Sequence, residues 1–166
     1  MATIGKDLQM AADILSANEL IAIPTETVYG LAANAFSSQA VTKVFQTKNR
    51  PSFNPLILHT CDLDRVQQFV QEIPAKAELL AREFWPGPLT MLFFKKSVVP
   101  DIVTAGLPRV AVRIPQHPVT LQLLQKLPFP LAAPSANPFG YVSPTRPEHV
   151  NAQLGDRIKY ILDGGP

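Results

Sequence analysis

The stretch LIAIPTETVYG, residues 20–30, combines a short apolar run with a proline and a run of polar residues. Four apolar residues, Leu20–Ile23, predict a short buried strand that ends at Pro24, because proline has no N–H to offer a central ladder. Apolar residues at helical spacing predict an amphipathic helix over residues 4–17 and a serine-capped helix over residues 38–47. A helix, a buried strand and another helix in succession are typical of an α/β layer structure.

Alternating strands and helices continue along the chain. Further strands are predicted at residues 55–60, 89–94, 110–114, 131–133 and 159–162, and further helices at residues 62–71, 74–84, 118–127 and 145–154. The connection between residues 94 and 110 carries no predicted helix, which favours a mixed sheet over an all-parallel one. The sequence therefore predicts an α/β fold in which helices flank a largely covered, mixed sheet.

Length, charge and cysteine content limit the classes of protein. The chain has 166 residues, which fits a single domain over residues 1–166, and its formal net charge is +2, which indicates neither a polyanion-binding tail nor an acidic segment. The one cysteine, Cys61, excludes an internal disulfide and suits a reducing compartment. The chain has no signal-peptide core and no apolar run near the roughly 20 residues of a membrane span, so we expect a cytoplasmic protein without a membrane partner.

Polar side chains follow the first buried strand directly. Thr25, Glu26 and Thr27 come immediately after Pro24, at a strand end of the kind where α/β proteins bind ligands. Their hydroxyls can hold a small polar ligand. Capping of a turn by Thr25 or Thr27 is an equally good interpretation.

A cationic pair, Lys48 and Arg50, follows the second helix. Pro51 disfavours helical geometry at Arg50, and side chains two residues apart share a side of an extended chain. The pair can therefore converge on one anion, such as a phosphate group. Cations that suit the dipole at a helix C-terminus are the more common alternative, and the residues alone favour it.

Two charged or titratable side chains interrupt apolar strands. Alternation places His59 opposite the leucines of strand 55–60, and Arg113 opposite the valines of strand 110–114. An arginine in a short apolar strand needs an acid, which belongs either to the protein or to a substrate carboxylate. For His59, a satisfied strand-end histidine is as good an interpretation as a ligand.

A turn braced by two prolines, PSANP at residues 134–138, carries Ser135 and Asn137. These side chains can act as a rigid donor and acceptor pair, although both residue types are common in turns. Nothing places a base beside Cys61, so a thiol nucleophile is not predicted. The three histidines lack metal-ligand spacing and no phosphate-loop pattern occurs, so we predict no metal site and no glycine-rich nucleotide site.

The segments PTETVYGLAANA, KNRPSFNPLILH, FWPGPLT, VAVRIPQHP and APSANPFG together resemble the YrdC-type threonylcarbamoyl-AMP synthase family. The resemblance runs in order from about residue 21 to residue 165. It implies an open, twisted α/β sheet, flanked by helices, with a concave basic cavity. It also implies an enzyme, a nucleotidyltransferase that makes threonylcarbamoyl-adenylate and pyrophosphate from L-threonine, bicarbonate or CO2, and ATP.

The family's functional residues carry over to matching positions of this sequence. The resemblance implies that Lys48 and Arg50 are catalytic and face the phosphates and the carboxylated amine. The implied ATP contacts are Lys48, Arg50, Asn54, Ser135, Asn137 and Ser143, and the implied L-threonine contacts are Thr27, His59 and Arg113.

Cofactor and partners follow from the same resemblance. Mg²⁺ is expected to arrive with ATP rather than in a protein cage. A tRNA threonylcarbamoyl transferase complex is the expected downstream partner. Two alternatives stay open, namely a non-catalytic module that binds tRNA or double-stranded RNA, and a YrdC-like domain of a carbamoyltransferase. The small-molecule contacts favour the synthase, because RNA binding depends instead on many spread cations.

The end of the sequence departs from the family pattern. Family members continue past the strand end at residues 163–165 into another strand, which supplies a serine contact to the substrate. We therefore expect residues 1–166 to form a single YrdC-like domain that lacks its last C-terminal strand.

Overall fold

The computed structural model describes all residues from 1 to 166. Its strands are β1 (Thr3–Gly5), β2 (Ile21–Ile23), β3 (Gly30–Asn34), β4 (Ile57–His59), β5 (Met91–Phe94), β6 (Arg109–Arg113), β7 (Leu131–Ala132) and β8 (Tyr160–Leu162). Its helices are α1 (Leu8–Ser16), α2 (Ser38–Lys48), α3 (Leu63–Gln67), α4 (Ala75–Phe84), α5 (Asp101–Thr104), α6 (Pro118–Lys126) and α7 (Pro147–Leu154). No helix is long and apolar enough to cross a lipid bilayer.

The eight strands form one open sheet in the order β1-β8-β2-β3-β7-β4-β6-β5. Parallel pairs join β8 to β1 and β2, and β4 to β6, while the pairs that involve β3, β5 and β7 are antiparallel. The mixed sheet predicted from the sequence is thus confirmed. In the β4–β6 pair, His59 lies directly beside Arg113.

One face of the sheet is covered from β8 to β5. A core of 26 buried residues joins this face to α2, α3, α5 and α7. Val44 and Phe45 of α2 belong to it, as do Leu58 of β4 and Val112 of β6. Full burial of such side chains contributes about 1.5–3 kcal/mol each relative to exposure, so this layer holds most of the sheet in place.

The other face is covered over only part of its width. A second core of 13 buried residues packs α1 and α6 onto β8, β2, β3 and β7. Beyond β7 this face lies open, and Leu92 and Phe94 of β5 are 63% and 43% exposed on it. Because side chains alternate along a strand, His59 and Arg113 point to this open face, next to the border of the second core.

The N-terminal prediction was wrong in its bounds. Residues 3–5 form strand β1, where Ile4 pairs with Ile161 of β8. The helix begins only at Leu8, because the Asp7 side chain accepts hydrogen bonds from the Gln9 and Met10 amides and caps it. Ile4 precedes Leu8 by four residues, and this spacing imitates a longer helical stripe.

Besides β1, two short elements were not predicted. The strand β3 is rich in alanine and glycine, which have low strand propensity, yet burial on both faces makes it a central strand. The connection 95–108, expected to hold no helix, contains the four-residue helix α5. The other predicted elements occur within a few residues of their expected bounds, and Ser37 caps α2 by accepting from the Ala40 amide.

Candidate active site

Lys48 is the last residue of α2, and only 1% of its surface is exposed. Its Nζ donates hydrogen bonds to the backbone carbonyl oxygens of Ser135 and Asn137. The Phe139 amide donates to the Lys48 carbonyl oxygen at 2.7 Å. Burial, together with the charge of Arg50, lowers the pKa of Lys48 to about 8. An ammonium has three N–H donors, so one remains for a ligand.

Arg50 leaves the helix through a left-handed turn. Asn49 has φ 52°, ψ 39° and ends α2, while the Arg50 amide returns to the Phe45 carbonyl oxygen at 2.9 Å. The extended geometry expected at residues 48–50 is therefore absent, since Lys48 is still helical. The Arg50 Nη2 donates to the Pro55 carbonyl oxygen at 3.2 Å, and its buried Nε has no partner. Burial lowers the pKa of Arg50.

The loop 134–144 carries three of the expected ATP contacts and lies against Lys48. The Asn137 Nδ2 donates to the carbonyl oxygens of Pro138 and Tyr141 at 2.9 and 2.8 Å, while its buried Oδ1 has no partner. Ser135 is half-buried and Ser143 is exposed. An unpartnered acceptor on Asn137 and an unpartnered donor on Arg50 are unusual in a closed core, since buried polar atoms are normally paired. Such atoms fit a place that receives a ligand or water.

Asn54 follows Arg50 in the sequence and lies in the turn that precedes β4. Its amide donates to the Pro51 carbonyl oxygen at 3.2 Å and its side chain is half-buried. No side-chain contact joins Asn54 to the rest of the group.

A second group forms around Arg113 on the open face. The Arg113 Nη2 lies 2.8 Å from the Glu26 Oε1, and their side chains are 11% and 18% exposed. The same Nη2 donates to the Thr27 Oγ1 at 3.3 Å. Burial raises the pKa of the Glu26 carboxyl, but Arg113 and the backbone amides of Glu26 and Gln116 lower it by more, so the pKa falls below its usual value. The acid that Arg113 needs is therefore a residue of the protein.

His59 completes this group from the neighbouring strand. Its ring is buried, with 3% exposure, and its Nδ1 lies 3.3 Å from the Ile57 carbonyl oxygen. Burial and the charge of Arg113 lower the pKa of His59 to about 4. The imidazole is consequently neutral near pH 7. With Nδ1–H donated to Ile57, Nε2 carries the lone pair and accepts rather than donates.

The loop that carries Glu26 and Thr27 is fixed by its own hydrogen bonds. The Thr25 Oγ1 accepts from the amides of Thr27 and Val28 at 3.2 Å each and donates to the Val28 carbonyl oxygen at 2.6 Å. Thr25 is therefore a turn residue, as one interpretation of its position expected. Thr27 is exposed, and its hydroxyl is 3.0 Å from that of Thr25.

Tyr29 joins the two groups. Its backbone amide donates to the Pro144 carbonyl oxygen at 2.8 Å, and its carbonyl oxygen accepts from the Ala136 amide at 2.8 Å. The loop beside Lys48 is thus paired on both sides with the segment that follows Thr27. Backbone hydrogen bonds of Tyr29 thus link the loop of the Lys48 group to the chain that follows the loop of the Arg113 group.

Residues 163–165, which follow β8, pack against Pro24 at the start of the loop that carries Glu26 and Thr27. The Tyr29 hydroxyl donates to the Gly165 carbonyl oxygen at 2.7 Å and accepts from the Gly164 amide at 3.2 Å. A Cβ on Gly164 would lie 2.5 Å from the His117 Cε1 and 2.5 Å from the Pro24 Cγ. Only glycine fits this close approach.

Other titratable side chains add little to the candidate chemistry. The Cys61 thiol donates to the Asp62 Oδ2 at 3.2 Å, and burial raises its pKa to about 11. Asp62 caps α3 by accepting from the Arg65 amide at 2.7 Å. No group of three or more His, Cys, Asp or Glu side chains is placed to hold a metal ion.

The structure thus brings six of the nine predicted residues into two groups, while the side chains of Arg50, Asn54 and Ser143 form no hydrogen bond to either group. Lys48, Ser135 and Asn137 are in direct contact, as are Arg113 and Thr27, with His59 beside them. Sequence reasoning left the acidic partner of Arg113 open. The signal for it was present, because Glu26 directly precedes Thr27 in the loop after a buried strand.

Comparisons with known proteins add a family to this geometry. Residues 13–166 match the family model of the Sua5, YciO and YrdC proteins, which is described as "Telomere recombination". The threonylcarbamoyl-AMP synthase of Pyrococcus abyssi is 46% identical over 158 residues, covering 95% of this chain and 46% of that protein. The threonylcarbamoyl-AMP synthase of Bacillus subtilis is also 46% identical, over 167 residues, covering 100% of this chain and 48% of that protein.

A solved structure agrees with these relatives. The crystal structure of P. abyssi Sua5 complexed with L-threonine matches with a TM-score of 0.95 and 43% identity, over 99% of this chain and 50% of that one. The expected YrdC-like α/β fold is therefore confirmed. The chain spans about half the length of the curated relatives that it matches.

Proposed function

The chain belongs to the Sua5/YciO/YrdC family, and from this premise we propose that it is an L-threonylcarbamoyl-AMP synthase, a nucleotidyltransferase. L-Threonine, bicarbonate and ATP give threonylcarbamoyl-adenylate, pyrophosphate and water, and CO2 in place of bicarbonate gives no water. The observation that carries this proposal is the 46% identity to two proteins named threonylcarbamoyl-AMP synthase, over 95% and 100% of this chain.

The proposed chemistry has two steps. The threonine amine attacks the carbon of CO2, a C–O π pair moves to oxygen, and loss of an N–H proton leaves a carbamate. A carbamate oxygen then attacks the α-phosphorus of ATP, and the bond to pyrophosphate breaks. Two anions approach each other in this step, so the site needs fixed cations and aligned reactants.

The Lys48 group is the proposed ATP half. Lys48 keeps one N–H donor after its two carbonyl contacts, and that donor would reach a phosphate oxygen. Arg50 adds its unpartnered buried Nε. Nucleotide contacts are proposed for Asn54, Ser135, Asn137 and Ser143. Their amide and hydroxyl groups can donate to and accept from the sugar and base.

The Arg113 group is the proposed L-threonine half. Arg113 is the partner for the α-carboxylate, and Thr27 offers a hydroxyl at the surface beside it. The neutral His59 ring offers an acceptor to the threonine hydroxyl. The P. abyssi relative was crystallised with L-threonine, which supports an amino-acid site in this fold at 43% identity.

Magnesium is proposed to enter on the triphosphate. The residues of the ATP half are cationic or neutral, and none is a carboxylate, which fits an ion held by phosphate oxygens and water. Bound there, Mg²⁺ would neutralise charge on the β- and γ-phosphates. The product is proposed to pass to a transferase complex that modifies tRNA.

No specific observation favours either alternative, the RNA-binding module or the carbamoyltransferase domain. Binding of tRNA or double-stranded RNA needs spread cations, and a net charge of +2 with a paired Arg113 offers few. A carbamoyltransferase domain would start from carbamoyl phosphate and would not need a threonine site.

Pyrophosphate release tests the proposal. The chain is supplied with ATP, magnesium and bicarbonate, and release is compared with L-threonine, with L-serine and with no amino acid. We expect release that depends on L-threonine and appears together with threonylcarbamoyl-adenylate by mass spectrometry. Pyrophosphate release that does not depend on threonine would contradict a synthase. So would the absence of release both from this chain and from a form extended beyond Pro166.

A further inference from the structure

Arg113 is held from one side only. Its Nη2 is the atom that contacts both Glu26 and Thr27, at 2.8 and 3.3 Å. Its Nε is buried and donates to no protein atom, whereas Nη1 reaches the surface and also donates to none. The guanidinium is therefore fixed at Nη2 and presents Nη1 outward to a ligand.

Glu26 cannot itself be that ligand's partner. Both of its carboxylate oxygens are buried, and the carboxylate lies against Arg113. The ion pair of Glu26 is with Arg113, so we place its effect on a ligand in that guanidinium. The charge of Glu26 nevertheless compensates the largely buried guanidinium, and an uncompensated buried charge is costly.

The loop does not depend on the Glu26 side chain for its shape. Thr25 closes the turn through three hydrogen bonds to Thr27 and Val28. The Thr120 hydroxyl donates to the Pro24 carbonyl oxygen and fixes the start of the loop against α6. Removing the charge of Glu26 should thus leave the loop in place while releasing the guanidinium.

We infer that Glu26 is a positioning residue for amino-acid binding: its carboxylate holds Arg113 so that the outward N–H donors meet the substrate α-carboxylate. This inference rests on the proposed function, because it needs an amino-acid carboxylate at Arg113. It assigns Glu26 no contact with substrate. The ATP half, around Lys48, is independent of Glu26.

The variant Glu26→Gln tests this role, with Glu19→Gln as matched control. Glu19 forms an ion pair with Lys43 at the same kind of distance, 2.9 Å, in another part of the molecule. Binding of L-threonine and of ATP is measured separately by calorimetry. We expect Glu26→Gln to raise the Kd for L-threonine by about tenfold or more and that for ATP by less than about twofold, and Glu19→Gln to change neither.

A double-mutant cycle separates positioning from direct contact. If Glu26 acts through Arg113, Glu26→Gln changes kcat/KM for L-threonine by less than about twofold in an Arg113→Ala background. A larger further loss would mean that Glu26 acts on the substrate independently, and would overturn the inference. Glu26→Asp keeps the charge, so it should restore part of the threonine affinity.

The outcomes distinguish the two proposals. Threonine binding by the wild-type chain together with unchanged binding by Glu26→Gln would overturn the role of Glu26 alone. Equal weakening of threonine and ATP binding, with a lowered Tm, would show a merely structural role. No threonine binding or turnover by the wild-type chain would overturn the synthase and the inference with it.

Discussion

The lowered pKa of Lys48 predicts that ATP binding weakens as the pH rises. Burial and the charge of Arg50 lower this pKa to about 8, so the amine changes from ammonium to neutral amine through that pH. Phosphate oxygens attract the ammonium and not the neutral amine. Affinity is therefore full below the pKa and is lost above it.

The magnitude follows from the protonated fraction. With a pKa of about 8, that fraction is about 0.9 at about pH 7 and about 0.1 at about pH 9, so the apparent Kd for ATP rises about tenfold. One charged hydrogen bond to phosphate contributes about 1.5–3 kcal/mol, so Lys48→Met binds ATP about 10- to 150-fold more weakly at about pH 7. The two proteins should converge as the pH rises further above this pKa, because a neutral Lys48 no longer contributes to ATP binding.

Calorimetric titration with ATP and excess magnesium, at constant ionic strength between about pH 6.5 and 9.5, measures this dependence. Lys48→Met is the matched control, because it keeps the length of the side chain and removes only the titrating group. It also corrects for any other group that titrates in the same pH range. A wild-type Kd that stays constant to about pH 9.5, or an equal slope in Lys48→Met, would contradict a contact between the Lys48 ammonium and a phosphate of ATP.

Three further predictions concern the amino-acid half, the cysteine and the supporting turn. Arg113→Ala removes a charged contact of about 1.5–3 kcal/mol. In pyrophosphate-release kinetics, the KM for L-threonine should therefore rise about 10- to 150-fold and the KM for ATP less than about twofold. Equal rises of the two KM values would show that Arg113 does not belong to the threonine half. Cys61→Ser should leave turnover intact, because a thiol with a pKa of about 11 stays protonated near neutral pH, and a complete loss would reveal thiol chemistry. Gly164→Ala places a Cβ 2.5 Å from atoms of His117 and Pro24. Such overpacking should lower the free energy of unfolding, measured by urea denaturation, by about 1–3 kcal/mol. An unchanged urea midpoint would show that the turn shifts to accommodate the added Cβ.

The layers of the fold were predictable where local patterns are strong. The helix α2 has a serine cap, a buried stripe and a basic last turn, and each signal agrees with the others. Strand β3 has no such signal, because alanines in a short segment fit a strand only once both sheet faces cover them. Pairing of Ile4 with Ile161 is a contact across nearly the whole chain, which no local pattern around residue 4 can indicate.

For the candidate site, the sequence indicated residues but not their contacts. Spacing indicated Lys48 and Arg50 as a pair on one side of an extended segment, whereas the helix continues to Lys48 and Asn49 turns the chain. The carbonyl oxygens that hold Lys48 come from a loop 87 residues away, and backbone acceptors leave no mark in a sequence. For Arg113, the sequence established the need for an acid, but only the β2–β3 connection brings Glu26 to it.

The two cations of the site are held in the same physical way. Lys48 is held by two carbonyl oxygens of the loop 134–144. Arg113 is held by Glu26 and Thr27 of the β2–β3 connection. Each cation keeps at least one N–H donor that forms no hydrogen bond with the protein. Cations fixed before the substrates arrive need no reorganisation when charge develops, which is the main source of electrostatic catalysis. Tyr29 pairs through its backbone with both ends of the loop that holds Lys48, and it follows the loop that holds Arg113 by two residues. We therefore expect the distance between Lys48 and Arg113 to depend on this stretch of chain, and with it the alignment of the proposed carbamate and phosphate.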